Sequence, residues 1–320
     1  MTLELKLDFY PAPNPNRTGV LVLPGGGYEF ISLEKEGVAP AQWLNDRNID
    51  AWVLSYTIAD ESSNPAPIFP APQREALEAV RRVRASGRVE RLGIWGFSAG
   101  GHLAAVTATD PGVELDFVIL AYPVISMVAG TTHEGSRRNL IGDGCEAGSD
   151  VENAMCAEKR VTESTPPTFL FHTANDDTVP VQNALGFALA MAKYDRPFQI
   201  LVLPDGPHGL GLALDDARLS WTGELERWLK GSVLNGLLVG LMWCDSLWGL
   251  NGPEEGQRKV VLHPWSPKGS PDRRHVQREP TKGHNEDADI VCVADVPFPC
   301  LKNLPFEYQY TLDTVRAFAY

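Results

Sequence analysis

The chain has 320 residues, 43% hydrophobic and 22% charged, which is the composition of an ordinary globular protein. Its 41 acidic residues outnumber 28 basic ones, and the resulting net charge of −13 repels phosphate backbones and disfavours nucleic-acid binding. Five cysteines without a CxxC pair predict neither a disulfide framework nor a zinc site, and a charged, proline-containing start without an apolar signal region predicts a cytoplasmic protein.

Short apolar runs alternate with helical patterns along the first 230 residues. Strands are predicted at Gly19–Leu23, Ala51–Tyr56, Arg91–Trp95, Phe117–Ala121, Thr168–His172 and Phe198–Leu203, and helices at about 37–47, 73–84, from 98 onward, 181–193 and 215–229. This alternation is typical of an α/β fold, with a mostly parallel central sheet and helices on both faces. We therefore assign residues 1–230 to one catalytic domain.

Two segments depart from this alternation. Residues 125–165 are polar and lack periodicity, which predicts a lid-like excursion over one sheet edge, with a solvated surface insertion as the alternative. Residues 231–320 are expected to form an irregular C-terminal extension of unknown role, partly disordered or non-native. Its apolar stretch 232–250 is interrupted by Asn235 and Asp245, which disfavours a membrane span.

The sequence Gly96-Phe97-Ser98-Ala99-Gly100 fits the G-x-S-x-G pattern between a predicted strand and an Ala-rich helix. A tight strand-to-helix turn needs small residues beside the serine and leaves its hydroxyl exposed above the sheet. Ser98 is therefore the candidate nucleophile.

A serine hydroxyl needs a base to remove its proton and an acid to orient that base. His208 lies between glycines in a short loop after the strand Phe198–Leu203 and is the candidate base. The acid follows the strand Thr168–His172, where Asp176 and Asp177 both qualify and Asp205 is a weaker third option. These loops all leave the carboxyl ends of strands, where open α/β sheets place their sites.

The remaining histidines have weaker claims to the role of base. His102 and His172 are expected to be structural, whereas His133, in the excursion, is a candidate pocket-lining residue. The other three, His263, His275 and His284, lie in the C-terminal extension.

The oxyanion of the reaction needs backbone N–H donors that no side chain obstructs. Gly26 and Gly27, in the triple glycine after the first predicted strand, and Ala99, directly after the serine, are the candidate donors. The aromatic Tyr28 follows the glycines and is a candidate substrate-binding residue.

Five blocks of sequence, in this order, resemble the α/β-hydrolase carbohydrate esterases of the acetyl-xylan-esterase-like and feruloyl-esterase-like type: PGGGY, GFSAGGHLA, GSRRNLIG, TPPTFLFHTANDDTVPVQNAL and GPHGLGLA. The resemblance runs from about Gly19 to Leu229. It implies Ser98 as nucleophile, His208 as base, and an oxyanion hole from Gly26 or Gly27 with Ala99. The family's acid is the Asp of D-x-x-V-P, which falls on Asp176.

The resemblance also implies an activity, the removal of acetyl and sometimes feruloyl groups from xylan fragments, without a metal or other cofactor. The partner is then a small acetylated oligosaccharide or ester, with neither nucleic acid nor membrane involved. The last 90 residues have no counterpart in the family. The missing export signal favours imported acetylated oligosaccharides over intact polymer as the substrate. A general carboxylesterase, an exopeptidase and a non-catalytic binding protein remain the alternatives.

Overall fold

The computed structural model describes residues 3–234 of the chain. Six of its seven strands run parallel, and the first pairs antiparallel with the third at one edge. The strands are β1 (Lys6–Tyr10), β2 (Thr18–Leu23), β3 (Asp50–Ser55), β4 (Arg91–Phe97), β5 (Phe117–Ala121), β6 (Thr168–Thr173) and β7 (Phe198–Leu203). Their order across the sheet is β1-β3-β2-β4-β5-β6-β7.

Helices connect the parallel strands, as expected when each connection must return the chain to the same edge of the sheet. The α-helices are α1 (Ala39–Asn45), α2 (Ala71–Ala85), α3 (Ser98–Ala108), α4 (Glu134–Ile141), α5 (Asp150–Ala154), α6 (Gln182–Lys193) and α7 (Thr222–Trp228). Short π-helical turns at Glu34–Val38 and Leu229–Leu234 adjoin α1 and α7, and a 3₁₀ turn at Ala157–Lys159 follows α5.

The sheet is buried on both faces. Along β2, Leu21 and Leu23 point into a core shared with α2, α3 and α6, whereas Val20 and Val22 point into a second core shared with α1 and α7. Because both faces are apolar, the central strands read as continuous hydrophobic runs in the sequence. The prediction of an α/β fold with a mostly parallel sheet and helices on both faces is confirmed.

Strand β1 was not predicted. Its five residues, KLDFY, are mostly exposed, so they carry no burial signal. Pairing holds the strand in place, with Phe9 opposite Trp52 and the two rings stacked at 4.8 Å.

The last helix begins later than predicted, at Thr222 and not near residue 215. Asp216 explains part of the difference, because its carboxylate accepts a hydrogen bond from Arg218 N–H at 2.9 Å. Such local side-chain bonds compete with helix formation. Trp221 is fully buried, and its indole N–H donates to Gly211 O at 3.0 Å just before α7 starts.

The excursion 125–165 is more regular than predicted, since it contains α4, α5 and the 3₁₀ turn. The buried Arg137 holds it together by donating to Met127 O at 3.0 Å and to Cys145 O at 2.8 Å, and by pairing with Glu152 at 3.3 Å. The sequence shows no clear hydrophobic periodicity for α4 and α5 because these helices are only eight and five residues long.

The part of the chain that the structure describes contains no helix long and apolar enough to cross a membrane. The predicted extension 231–320 lies outside the described residues from residue 235 onward, as does nearly all of the apolar stretch 232–250.

Candidate active site

The turn between β4 and α3 holds Ser98 in a strained backbone conformation, with φ +51°. A β-carbon at Gly96 would lie 2.2 Å from Gly100 O, and one at Gly100 would lie 2.1 Å from Leu23 O. No side chain fits at either position, so the two glycines of G-x-S-x-G are required by close backbone packing. Strain of this kind persists where the surrounding packing enforces it, and it clusters at functional sites.

Three side chains form a continuous hydrogen-bonded relay. Ser98 Oγ lies 2.8 Å from His208 Nε2, and His208 Nδ1 lies 2.7 Å from Asp176 Oδ2. The three residues follow the carboxyl ends of β4, β7 and β6, which places them on one side of the sheet. In this arrangement the carboxylate accepts from Nδ1–H, which leaves Nε2 free to accept the serine proton.

The Asp176 carboxylate is held from both sides. Oδ1 accepts hydrogen bonds from the N–H groups of Thr178 and Val179, each at 2.9 Å. Burial alone would raise the pKa of Asp176, but hydrogen bonds from His172, His208 and Val179 N–H outweigh it and hold the pKa well below the ordinary value. The side chain is therefore an anion at neutral pH.

The neighbouring acids do not join the relay. Asp177 is exposed and accepts from the Thr178 hydroxyl at 3.2 Å, while Asp205 accepts from Asn175 on the surface. His172 is fully buried, donates from Nε2 to Val179 O at 2.9 Å, and lies 3.5 Å from Asp176 Oδ2. It supports the loop that carries the acid.

The glycine loop after β2 lies beside the serine because β2 and β4 are neighbours, with Leu23 opposite Gly96. Gly26 and Gly27 have φ values of +133° and +65° and line the cleft above Ser98. Among the described residues, neither of their N–H groups has a protein acceptor. Ala99 N–H lies in the first turn of α3, where backbone donors have no acceptor within the helix.

Tyr28 does not line the cleft, so the prediction that it binds substrate is wrong. With φ +60°, its backbone turns the side chain into the core, where it is completely buried. Its hydroxyl donates to His102 Nδ1 at 2.8 Å, and His102 Nε2 donates to Met155 O at 2.7 Å. Both residues are structural, and burial lowers the pKa of His102 to about 4.

The cleft over Ser98 has a volume of about 380 Å³ and a mixed lining. His133 borders it from the excursion, half-buried, with Nδ1 bonded to Ser136 Oγ at 2.9 Å. Burial, followed by the nearby His208, lowers the pKa of His133, which keeps it neutral. Phe30, Glu29 and Lys35 line the cleft as well, and Phe30 is 58% exposed.

Sequence reasoning missed two residues that contact this site, Glu36 and Tyr122. Glu36 is buried in the π-helical turn Glu34–Val38, and Tyr122 follows β5 directly. Glu36 accepts hydrogen bonds from Gly25 N–H at 2.8 Å and from the Tyr122 hydroxyl at 2.7 Å. The glutamate gives no signal in a segment of alternating charges, whereas the place of Tyr122 at a strand's carboxyl end could have marked it.

Within residues 3–234, no group of three or more His, Cys, Asp or Glu side chains is arranged to hold a metal ion. The chemistry that the site offers comes from the serine, the imidazole, the carboxylate and the backbone donors.

A family model described as the prolyl oligopeptidase family matches residues 72–235, which include Ser98, Asp176 and His208. Two curated sequence relatives have names that refer to xylan. "Endo-1,4-beta-xylanase B" of Butyrivibrio fibrisolvens is 34% identical over 65% of this chain, and "Acetylxylan esterase" of Xylanibacter ruminicola is 31% identical over 68%. The chain spans only 34% and 46% of the length of those two proteins.

One solved structure is matched over a larger share of its own length than these two relatives. The acetyl ester-xyloside bifunctional hydrolase of Caldicellulosiruptor lactoaceticus is 35% identical, with a TM-score of 0.63, and the match covers 71% of this chain and 88% of that one. The match to the family model and the extent of this structural match lead to one conclusion. The chain belongs to the α/β-hydrolase esterases, within the group that the prolyl oligopeptidase family model describes.

Proposed function

We propose that the protein is a serine esterase that hydrolyses acetyl esters of xylan-derived or related carbohydrates, with feruloyl esters as a second acyl class. The observation that carries the proposal is the relay from Asp176 through His208 to Ser98, with contacts of 2.7 and 2.8 Å. The residue roles below belong to the same proposal.

In the first half of the reaction, His208 Nε2 takes the proton of Ser98 as Oγ attacks the acyl carbonyl carbon. Asp176 orients the imidazole and stabilises the imidazolium that forms. The carbonyl oxygen becomes an oxyanion, which accepts hydrogen bonds from Ala99 N–H and from Gly26 or Gly27 N–H. The sugar alcohol then leaves with the proton from His208, and the acyl group remains on Ser98.

In the second half, water attacks the acyl-serine and His208 takes its proton. The second tetrahedral intermediate collapses, the carboxylic acid leaves, and Ser98 recovers its proton from His208. His133, in the 125–165 excursion, borders the cleft, and we assign it to substrate binding. Residues 1–230 form the catalytic domain in this proposal.

The carbohydrate part of the proposal is supported by the relatives whose names refer to xylan or xylosides. The cleft is compatible with it, since exposed Phe30 and the polar Glu29 and Lys35 lie around the opening. Aromatic faces can stack on sugar rings, and polar side chains can form hydrogen bonds with sugar hydroxyls. A general carboxylesterase would need the relay but not these neighbours.

A second candidate function, peptide-bond hydrolysis, is favoured by the prolyl oligopeptidase family model alone. The same relay attacks amides and esters, so the relay does not separate the two reactions.

The experiment compares three substrates with the wild-type chain and with Ser98→Ala. These are acetylated xylo-oligosaccharides, followed by acetate release, p-nitrophenyl acetate, and a Gly-Pro p-nitroanilide. We expect turnover of the first two and a loss of several orders of magnitude in kcat in Ser98→Ala, with an unchanged thermal unfolding midpoint.

Each pattern of turnover has a different meaning. Hydrolysis of the small ester without the oligosaccharide would replace the carbohydrate esterase with a general carboxylesterase. Hydrolysis of the anilide in preference to both esters would favour the peptidase. Near wild-type rates in Ser98→Ala would refute the assignment of the nucleophile.

A further inference from the structure

The buried carboxylate of Glu36 lies against the glycine loop, beside Gly25 and close to Ser98. A β-carbon on Gly25 would lie 2.6 Å from Glu36 Oε2 and 2.9 Å from Ser98 Cβ, which shows how closely the carboxylate approaches the nucleophile. Glu36 Oε2 accepts from Gly25 N–H at 2.8 Å. This bond holds the glycine loop at Gly25, and the next two residues of the loop, Gly26 and Gly27, line the cleft.

The other carboxylate oxygen connects to the loop that carries His208. Glu36 Oε1 accepts from the Tyr122 hydroxyl at 2.7 Å, and that hydroxyl accepts from Gly211 N–H at 2.9 Å. The Tyr122 ring also meets the His208 imidazole edge-on, with centroids 5.1 Å apart. A chain of hydrogen bonds therefore runs from Gly25, through Glu36 and Tyr122, to Gly211.

Two independent features indicate that this arrangement is enforced. Tyr122 is completely buried and adopts φ +35°, which is a strained conformation for a bulky residue. Glu36 lies in a single π-helical turn, a feature that occurs frequently at functional sites. A carboxyl group buried this deeply needs hydrogen-bond partners for its oxygens, and Gly25 N–H and the Tyr122 hydroxyl supply them.

We propose that Glu36 and Tyr122 are positioning residues that tie the oxyanion-binding glycine loop to the loop of the base. In this way the N–H donors and the imidazole stay aligned on one tetrahedral intermediate. The inference rests on the proposed roles of His208 and the glycine loop. It adds two residues outside the relay, neither of which contacts Ser98 Oγ through a hydrogen bond.

Glu36→Gln tests the proposal at constant volume. Both carboxylate oxygens accept hydrogen bonds, and an amide has only one oxygen, so either Gly25 N–H or the Tyr122 hydroxyl loses its acceptor. Because small displacements of catalytic groups are costly, we expect kcat to fall roughly 10- to 100-fold, with KM within about twofold of wild type. Tyr122→Phe keeps the ring against His208, removes the hydroxyl, and should reduce kcat to a similar extent.

The two variants differ in charge, and the pH profile separates them. Glu36 is faced by Tyr122, Tyr56, Lys35 and His208, and His208 in turn by Asp176 and His133. Burial raises the pKa of the Glu36 carboxyl, and hydrogen bonds from Tyr122 and from Gly25 N–H oppose that rise. In its ionised form Glu36 favours the imidazolium, so the acid limb of kcat/KM should move to lower pH in Glu36→Gln. The limb should stay in place in Tyr122→Phe, which keeps the carboxylate.

The matched control is Glu152→Gln, which alters an equally buried carboxylate that is bonded to Arg137 and Gly148 N–H, away from the cleft. It should leave kcat and the pH profile unchanged, whatever it does to thermal stability. A double variant Glu36→Gln/Tyr122→Phe should lose little more than either single variant, because the two residues act as one unit.

Labelling of Ser98 by a fluorophosphonate separates failure of this inference from failure of the proposed function. Labelling needs an activated serine but no particular substrate, so it remains informative if the esters are not hydrolysed. We expect both variants to be labelled at least tenfold more slowly than wild type. Folded variants with rates within threefold of wild type would overturn the inference, and if Glu36→Gln does not fold, Tyr122→Phe decides.

Discussion

Asp176→Asn perturbs the proposed relay at a single atom. Oδ1 of Asp176 accepts from the N–H groups of Thr178 and Val179, so the asparagine oxygen must take that position. The amide NH₂ group is then forced to the position of Oδ2, 2.7 Å from His208 Nδ1. It cannot turn over without placing its hydrogens against two backbone donors.

The magnitude follows from the tautomer that this orientation imposes. An NH₂ group facing Nδ1 requires Nδ1 to accept, so the imidazole proton moves to Nε2, 2.8 Å from Ser98 Oγ. A base that already carries a proton cannot take another from the serine. The equivalent substitution in a serine protease lowers kcat by about 10⁴, and we expect a loss of that order, about 5 kcal/mol in activation free energy.

The assay is p-nitrophenyl acetate hydrolysis, with Asp177→Asn as the matched control, since Asp177 is exposed and adjacent. Both variants should unfold at temperatures close to wild type, because the asparagine keeps the two backbone hydrogen bonds to its oxygen. A loss below tenfold in Asp176→Asn, or an equal loss in Asp177→Asn, would refute the assignment of the acid.

Two further predictions concern stability and the glycine loop. Since burial lowers the pKa of His102 from 6.5 to about 4, its stabilising contribution is complete above about pH 6.5 and declines as the pH falls toward 4. Urea unfolding should show about 2 kcal/mol less stability at pH 5 than at pH 7 from this group, and His102→Gln should remove that difference. Gly25→Ala should lower kcat by about 100-fold or more, because its β-carbon would overlap Glu36 and Ser98, whereas Gly144→Ala, in open space, should have no effect. Unchanged acid sensitivity in His102→Gln, or full activity in Gly25→Ala, would contradict these arguments.

Several features of the molecule could be predicted from the sequence because they depend on the local chain. Phe117–Ala121 became a strand with the predicted bounds, since an apolar run of that length is buried on both faces of a parallel sheet. Phe198–Leu203 also has the predicted bounds, although it forms the partly exposed edge of the sheet. The turn at Ser98 was predictable for a related reason, because Gly96 and Gly100 are required where backbones pack against each other. The proximity of Ser98, Asp176 and His208 was predictable as well, because their loops all leave the carboxyl ends of parallel strands.

Other features depend on contacts between residues far apart in the chain. Strand β1 is held in place by its pairing with β3. Tyr28 points inward because its hydroxyl donates a hydrogen bond to His102, 74 residues later. The connection from Glu36 to Tyr122 spans 86 residues, and that from Tyr122 to Gly211 spans 89. Local patterns record which residues are buried or turn the chain, whereas the partner of a buried polar group is chosen only when the sheet brings distant loops together.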